Sequence, residues 1–202
     1  MNRSRSLNPA VVVLAAGFSS RLGRNKALVR IHGSTALRTL LFKLAPLTDC
    51  RVAVVVPRRS ATLREARRYG GRHILNPDPG RGMSSSVRCA LQQLRYSPAV
   101  LILPVDLSQL RRRELAAMIR RWYGHRRKLI ARRDGQRALT PMIIPKHLFH
   151  LAAQIGGDVG LRDLIATLPV EERILLDVPS AAVDLDTQID LDSARRRYGN
   201  CI

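Results

Sequence analysis

The sequence predicts a doubly wound α/β fold, three layers deep, with helices on both faces of a mostly parallel sheet. Three observations carry that prediction. Short continuous apolar runs, the signature of fully buried strands, recur at residues 10–14, 52–56 and 99–103. Longer stretches with apolar residues at helical spacing lie between them, so strands and helices alternate along most of the chain. Small, turn-forming residues follow the first run at once, and an acidic residue follows the last. Loops of that kind at the carboxyl ends of strands form the ligand crevice of open α/β sheets.

The elements follow in order. Residues 1–8 are polar and basic, lack the apolar core of a signal peptide, and are read as a disordered tail. A single domain is expected over 9–199, since 202 residues at 46% hydrophobic content allow one sizeable core. Strand one is 10–14. A turn at 33–35 opens a helix carrying Leu37, Leu40, Leu41 and Leu44, which ends near Ala45, before Pro46. The second strand, 52–56, stops at Pro57. A basic amphipathic helix at 61–69 closes on Gly70-Gly71 and leads to a short strand at 72–75. The next helix continues through Leu91 and Leu94 and precedes the strand at 99–103. A helix over 111–121 turns Leu115, Met118, Ile119 and Trp122 to the core. Then come a strand at 129–131, a turn at 132–136, a returning strand at 138–144, a helix at 146–153, a helix at 161–168 and a C-terminal helix at 188–198.

Composition narrows the functional classes. No apolar run approaches the roughly 20 residues of a membrane-spanning helix. Cys50, Cys89 and Cys201 are odd in number and far apart, as expected for free thiols in a reducing cytoplasm. Neither has His147 or His150 a third ligand at metal-binding spacing, so both read as surface histidines. The net charge is +20, and only four of the 35 basic residues are Lys. Such charge raises the question of a nucleic-acid partner. The arginine clusters fall on separate predicted elements, however, and aromatics make up only 4%, too few for stacking platforms. Nucleic acid is therefore not the expected partner; the clusters read as a solvated surface in which Arg replaces Lys, and a positive field that attracts phosphorylated small molecules also fits.

The informative stretch is 11–26. Beyond Leu14, Ala15, Ala16 and Gly17 offer no side-chain bulk, and glycine tolerates a left-handed backbone. Successive N–H groups there can form an anion-binding nest. Arg21 and Lys26 add a fork and a point charge suited to phosphate oxygens. Neither the Walker pattern nor the three-glycine dinucleotide fingerprint is present. A second candidate segment, 76–87, brings Asn76, Gly82 and three serines, among them Ser85 and Ser86, to a helix start, where hydroxyls and free N–H groups can meet a base, ribose or phosphate. Asp106 stands just past the fourth strand, placed to hold Mg²⁺ against a phosphate.

The pattern Leu-Ala-Ala-Gly-x-Ser-x-Arg-x-Gly-x-x-Lys resembles the signature of the MobA-like NTP transferases, nucleotidyltransferases of the nucleotide-diphospho-sugar transferase fold, a Rossmann-like architecture. The Ala-Ala form is similar to the molybdenum cofactor (molybdopterin) cytidylyltransferases. The resemblance implies a loop wrapped around an NTP triphosphate, with Arg21 and Lys26 neutralising charge as pyrophosphate leaves. It also implies nucleotide contacts from the segment of Asn76, Gly82, Ser85 and Ser86, and Asp106 as the metal ligand. The Gly156–Arg162 segment resembles the family's acceptor-side motif, so Asp158 is implied at the acceptor. Asp184 or Asp186 in the C-terminal motif would complete the metal site, Asp186 being the stronger candidate. The implied reaction transfers CMP from CTP to molybdopterin, with a client molybdoenzyme as a possible further partner. Two departures stand out: Leu139-Thr140-Pro141 replaces the family's Gly-His-Pro, and Gln188-Ile189-Asp190-Leu191 loses a Pro and a Glu. They leave open a sugar-phosphate or alcohol-phosphate acceptor, or a non-catalytic protein that binds a nucleotide or carries a cofactor.

Overall fold

The computed structural model describes residues 8–17, 25–31, 33–49, 51–135, 137–154, 161 and 167–182. Arg21, Asp158, Asp184, Asp186, Cys50 and Cys201 lie outside the described residues, as do the tail, most of the helix expected at 161–168 and the C-terminal helix.

Nine strands and five α-helices are described in chain order. β1 (Ala10–Leu14) leads through a small hairpin, β2 (Arg30–Ile31) and β3 (Ser34–Thr35), into α1 (Ala36–Leu44). β4 (Ala53–Pro57), α2 (Ala61–Arg68), β5 (Arg72–Asn76), α3 (Met83–Gln93) and β6 (Ala99–Pro104) follow. α4 (Arg112–Gly124), β7 (Leu129–Asp134), β8 (Arg137–Pro145), α5 (Phe149–Gln154) and β9 (Arg173–Leu176) complete the series.

Seven strands form one sheet in the order β5-β4-β1-β6-β8-β7-β9. All run parallel except β8, which pairs antiparallel with both β6 and β7. The doubly wound, mostly parallel sheet expected from the sequence is therefore present. The central strands are buried on both faces, which is why they read as unbroken apolar runs rather than alternating ones. Val11 and Val13 pack with Leu37, Leu40, Leu63, Leu115, Met118 and Trp122, which puts α1, α2 and α4 on one face. Val12 and Leu14 pack with Val87, Leu91, Leu148 and Phe149, which puts α3 and α5 on the other. Three layers result.

Side-chain caps fix the helix starts. Thr35 and Ser60 accept from the backbone N–H of Arg38 and Leu63, so α1 and α2 begin where a hydroxyl precedes the apolar pattern. Three expectations need correction. The segment expected as a turn at 33–35 includes strand β3, paired through Arg30–Thr35 and Ile31–Ser34. Arg132, Arg133 and Asp134, expected to form a turn, extend β7, where they pair with Leu139, Ala138 and Arg137. Charge misled the reading there: Arg132 is buried, and its guanidinium donates to the Ala181 carbonyl. Finally, β9 has no counterpart in the sequence reading; it adds to the sheet edge alongside β7.

Candidate nucleotide site

The chain leaves β1 toward β4 on one side and later returns to β6 on the other. The strand order therefore reverses between β1 and β6, the position at which open α/β sheets bind ligands beyond their carboxyl ends. The loops that follow β1 and β6 start there. Val105 N–H donates to the Leu14 carbonyl at 3.0 Å and Ala15 N–H to the Val55 carbonyl at 2.9 Å, so the three strand ends are tied together. Ala15 and Ala16 are buried; Gly17 is exposed, and a Cβ on it would meet nothing within 4 Å. Ala15 N–H being spent on Val55, any anion nest must start further along the loop.

Lys26 and Asp106 come together across the switch point although 80 positions separate them: the ammonium lies 3.2 Å from the carboxylate, and both side chains are mostly covered, at 17% and 22% exposure. Asn25, which the sequence reading passed over, sets the turn that carries Lys26. Its Oδ1 accepts from Ala27 N–H at 3.0 Å, capping a short 3₁₀ turn over Lys26–Leu28. Its Nδ2 donates to Thr62 Oγ1 at 2.8 Å, and Thr62 is fully buried on α2. An Asn directly before a charged residue and a short apolar run was the available signal. On the other side, Lys43 of α1 donates to the Ser108 carbonyl at 2.7 Å and so braces the loop that holds Asp106. Burial holds the Lys43 ammonium below its ordinary pKa.

The second segment is built differently from its sequence expectation. Asn76 is buried, and its Nδ2 donates to Ser85 Oγ at 2.8 Å and Ser86 Oγ at 3.0 Å. Ser85 Oγ in turn donates to the Gly82 carbonyl at 2.9 Å. All three serines are buried, so their hydroxyls hold the loop rather than face solvent. What stays exposed is Gly80 and Arg81, with Gly82 half-buried beside them. Gly82 has φ 77° and ψ −170°, a backbone essentially closed to other residues. Asn76 thus shapes the loop, and Gly82 turns it into α3.

The Leu139-Thr140-Pro141 departure falls where β8 leaves its ladder. Pairing with β6 ends at Ile102–Met142, and the partners of Ala131 and Arg132 jump from Met142 to Leu139. Pro141 has no N–H to give a ladder, which suits an irregularity. This stretch lies at the end of the sheet that carries Asp106.

Among the described residues, Asp106 offers a hard oxygen ligand at this crevice, and no group of three or more metal-ligating side chains occurs. That donor set fits Mg²⁺, which takes one or two carboxylates and completes its shell with water and substrate phosphates. A mostly covered carboxylate beside a cation thus sits at the strand-order switch of a doubly wound α/β sheet.

The chain belongs to the MobA-like NTP transferase domain family, whose model matches residues 11–173, so it is a member of a nucleotidyltransferase family. No curated protein matches the sequence. Among solved structures, Rv0371c from Mycobacterium tuberculosis H37Rv superposes with a TM-score of 0.76 at 24% identity, covering 93% of this chain and 98% of that one. Molybdopterin-guanine dinucleotide biosynthesis protein A from Archaeoglobus fulgidus superposes with a TM-score of 0.73 at 15% identity, covering 94% and 98%. A manganese complex of Rv0371c gives a TM-score of 0.73 at 22% identity, covering 94% and 98%. At these identities the structures establish the shared fold.

Proposed function

We propose that the protein transfers a nucleoside monophosphate, CMP from CTP, to a phosphorylated acceptor, and that the acceptor is molybdopterin. The observation that carries this reading is the Lys26–Asp106 pair at the strand-order switch between β1 and β6. An acceptor phosphate oxygen attacks the α-phosphorus of the NTP. A new P–O bond forms, the bond to the bridging β-phosphate oxygen breaks, and pyrophosphate leaves with the electron pair. That nucleophile is already ionised near neutral pH, so alignment and charge neutralisation suffice without a strong base.

In this mechanism Lys26 exchanges Asp106 for triphosphate oxygens when the nucleotide enters, and Arg21 adds a bidentate contact to the same group. Asp106, with Asp186 as second ligand, would hold Mg²⁺, which would supply charge neutralisation and alignment of phosphate oxygens. The open backbone of Gly80–Gly82 faces the nucleoside, and Leu14, Ala15, Ala16 and Gly17 leave room for it at the end of β1. Asp158 contacts the acceptor. We place the reaction in the cytoplasm, where NTPs are available, and a client molybdoenzyme would receive the product. Among the described residues no helix is long and apolar enough to cross a membrane.

Pyrophosphate release from each of the four NTPs, with Mg²⁺ and with or without molybdopterin, tests this reading. Release with CTP only when molybdopterin is present supports it. Release with another NTP keeps the chemistry and overturns the base; release only with a sugar phosphate or alcohol phosphate overturns the acceptor. Nucleotide binding with no release for any acceptor favours a non-catalytic carrier.

A further inference from the structure

A cavity of about 780 Å³ is lined by Arg58, Arg59, Ser60, Leu63, Arg64, Arg67 and Leu75. That volume suits a small ligand. It opens between the turn after β4, the outer side of α2 and the edge strand β5. The same helix carries Thr62, so the cavity and the Lys26 turn share one support without sharing a side chain.

Several arginines elsewhere in the molecule are engaged. Arg38 and Arg68 stack on Tyr69, Arg95 on Tyr96, and Arg126 on Trp122 and Tyr123. Arg81 and Arg133 pair with Asp78 and Asp177, and Arg132 donates to a backbone carbonyl. By contrast, the guanidinium groups of Arg58, Arg59, Arg64 and Arg67 have no carboxylate, carbonyl or aromatic partner among the described residues. The one acid on α2, Glu65, accepts from Thr35 Oγ1 at 2.7 Å and is spent on α1. Arg59 also occupies a left-handed backbone conformation, φ 48°, where an arginine is uncommon. Four like charges gathered around one hollow repel one another until an anion joins them. Planar guanidinium forks match phosphate oxygens two at a time. Leu63 and the exposed Leu75 give the hollow an apolar floor.

We infer that this cavity binds a multiply phosphorylated small molecule, at a site separate from the Lys26–Asp106 crevice. The inference stands independently of the transferase reading. Calorimetric titration with inorganic tripolyphosphate tests it. The wild-type protein binds two equivalents, one at each site. Arg64→Ala with Arg67→Ala, two exposed helix positions where alanine is well tolerated, removes one equivalent, and Arg58→Ala alone weakens it about tenfold or more. Lys26→Ala removes the other equivalent and leaves the arginine site intact. Arg120→Ala with Arg121→Ala, the same charge change on the exposed side of α4, alters neither. The inference is overturned if the Arg64/Arg67 variant titrates like the Arg120/Arg121 variant, since binding would then follow net charge alone. It is also overturned if the Arg64/Arg67 change weakens a single-stranded oligonucleotide but not tripolyphosphate, which would make the surface a nucleic-acid contact. If only Lys26→Ala leaves the titration unchanged, the crevice assignment fails and the arginine site stands.

Discussion

Replacing Asn25 by Ala separates the support of Lys26 from Lys26 itself. The substitution removes the cap on Ala27 N–H and the bond to Thr62 Oγ1, 3.0 and 2.8 Å long. A lost side-chain cap costs about 1 kcal/mol. The bond to Thr62 contributes about 1 kcal/mol, because its partner is buried but Asn25 itself is exposed and water can replace it in part. The sum, about 2 kcal/mol, lowers the melting temperature by about 4–8 °C in a chain of this size. Asn25→Ser keeps a capping oxygen and gives up the reach to α2, so it recovers about half of that loss. In a Thr62→Val background, Asn25→Ala costs only the cap. Because the turn also carries Lys26, CTP affinity measured by titration falls about tenfold in Asn25→Ala, on the scale of one charge-assisted contact. An unchanged melting temperature would refute the energetic argument. A lower melting temperature with unchanged CTP affinity would show that Asn25 braces the fold and does not position Lys26.

Three further outcomes follow from the geometry. Asp106→Asn lowers pyrophosphate release by about a hundredfold or more, the scale of losing one preorganised charge-stabilising group, while net stability changes by only about 1 kcal/mol because the ion pair is not fully desolvated; steady-state release and thermal melting of one sample compare the two. Gly82→Ala forces a side chain into φ 77°, costs about 1–3 kcal/mol and shifts the urea midpoint accordingly. Burial, then the neighbouring Arg127 and His150 charges, hold His147 below its ordinary 6.5, against a smaller opposing pull from Glu172. The unfolded chain therefore binds the proton first as pH falls, so stability drops as pH passes below 6.5 toward the lower folded value and is regained as pH rises. His147→Gln removes that part of the slope, which urea denaturation across pH 5–7 would record as a shallower dependence.

The parts of the fold legible in the sequence are those whose cause is local. The apolar runs at β1, β4 and β6 declare burial on both faces, and the hydroxyl before each of α1 and α2 declares a helix start. Lys26 and Asp106 were legible as candidates, one in the segment after β1 and one just past β6, although only the fold shows that they meet. What escaped depends on partners distant in the chain. Arg132–Asp134 looks like a charged turn until β8 pairs with it and Ala181 takes the Arg132 guanidinium. β9 is short and gains its ladder from β7, more than 40 residues earlier. Ser85 and Ser86 read as open hydroxyls because nothing in the serine run reveals that Asn76, nine and ten positions away, will claim them.

The proposed transfer of a nucleotidyl group at the Lys26–Asp106 crevice can be followed directly. The most direct measurement follows the α-phosphate of labelled CTP in a single turnover with Mg²⁺ and molybdopterin, using the wild-type protein beside Asp106→Asn. The label is expected to move to molybdopterin with the wild type and to stay in CTP with the variant. Equal transfer by both proteins, or none by either while CTP remains bound, would contradict it.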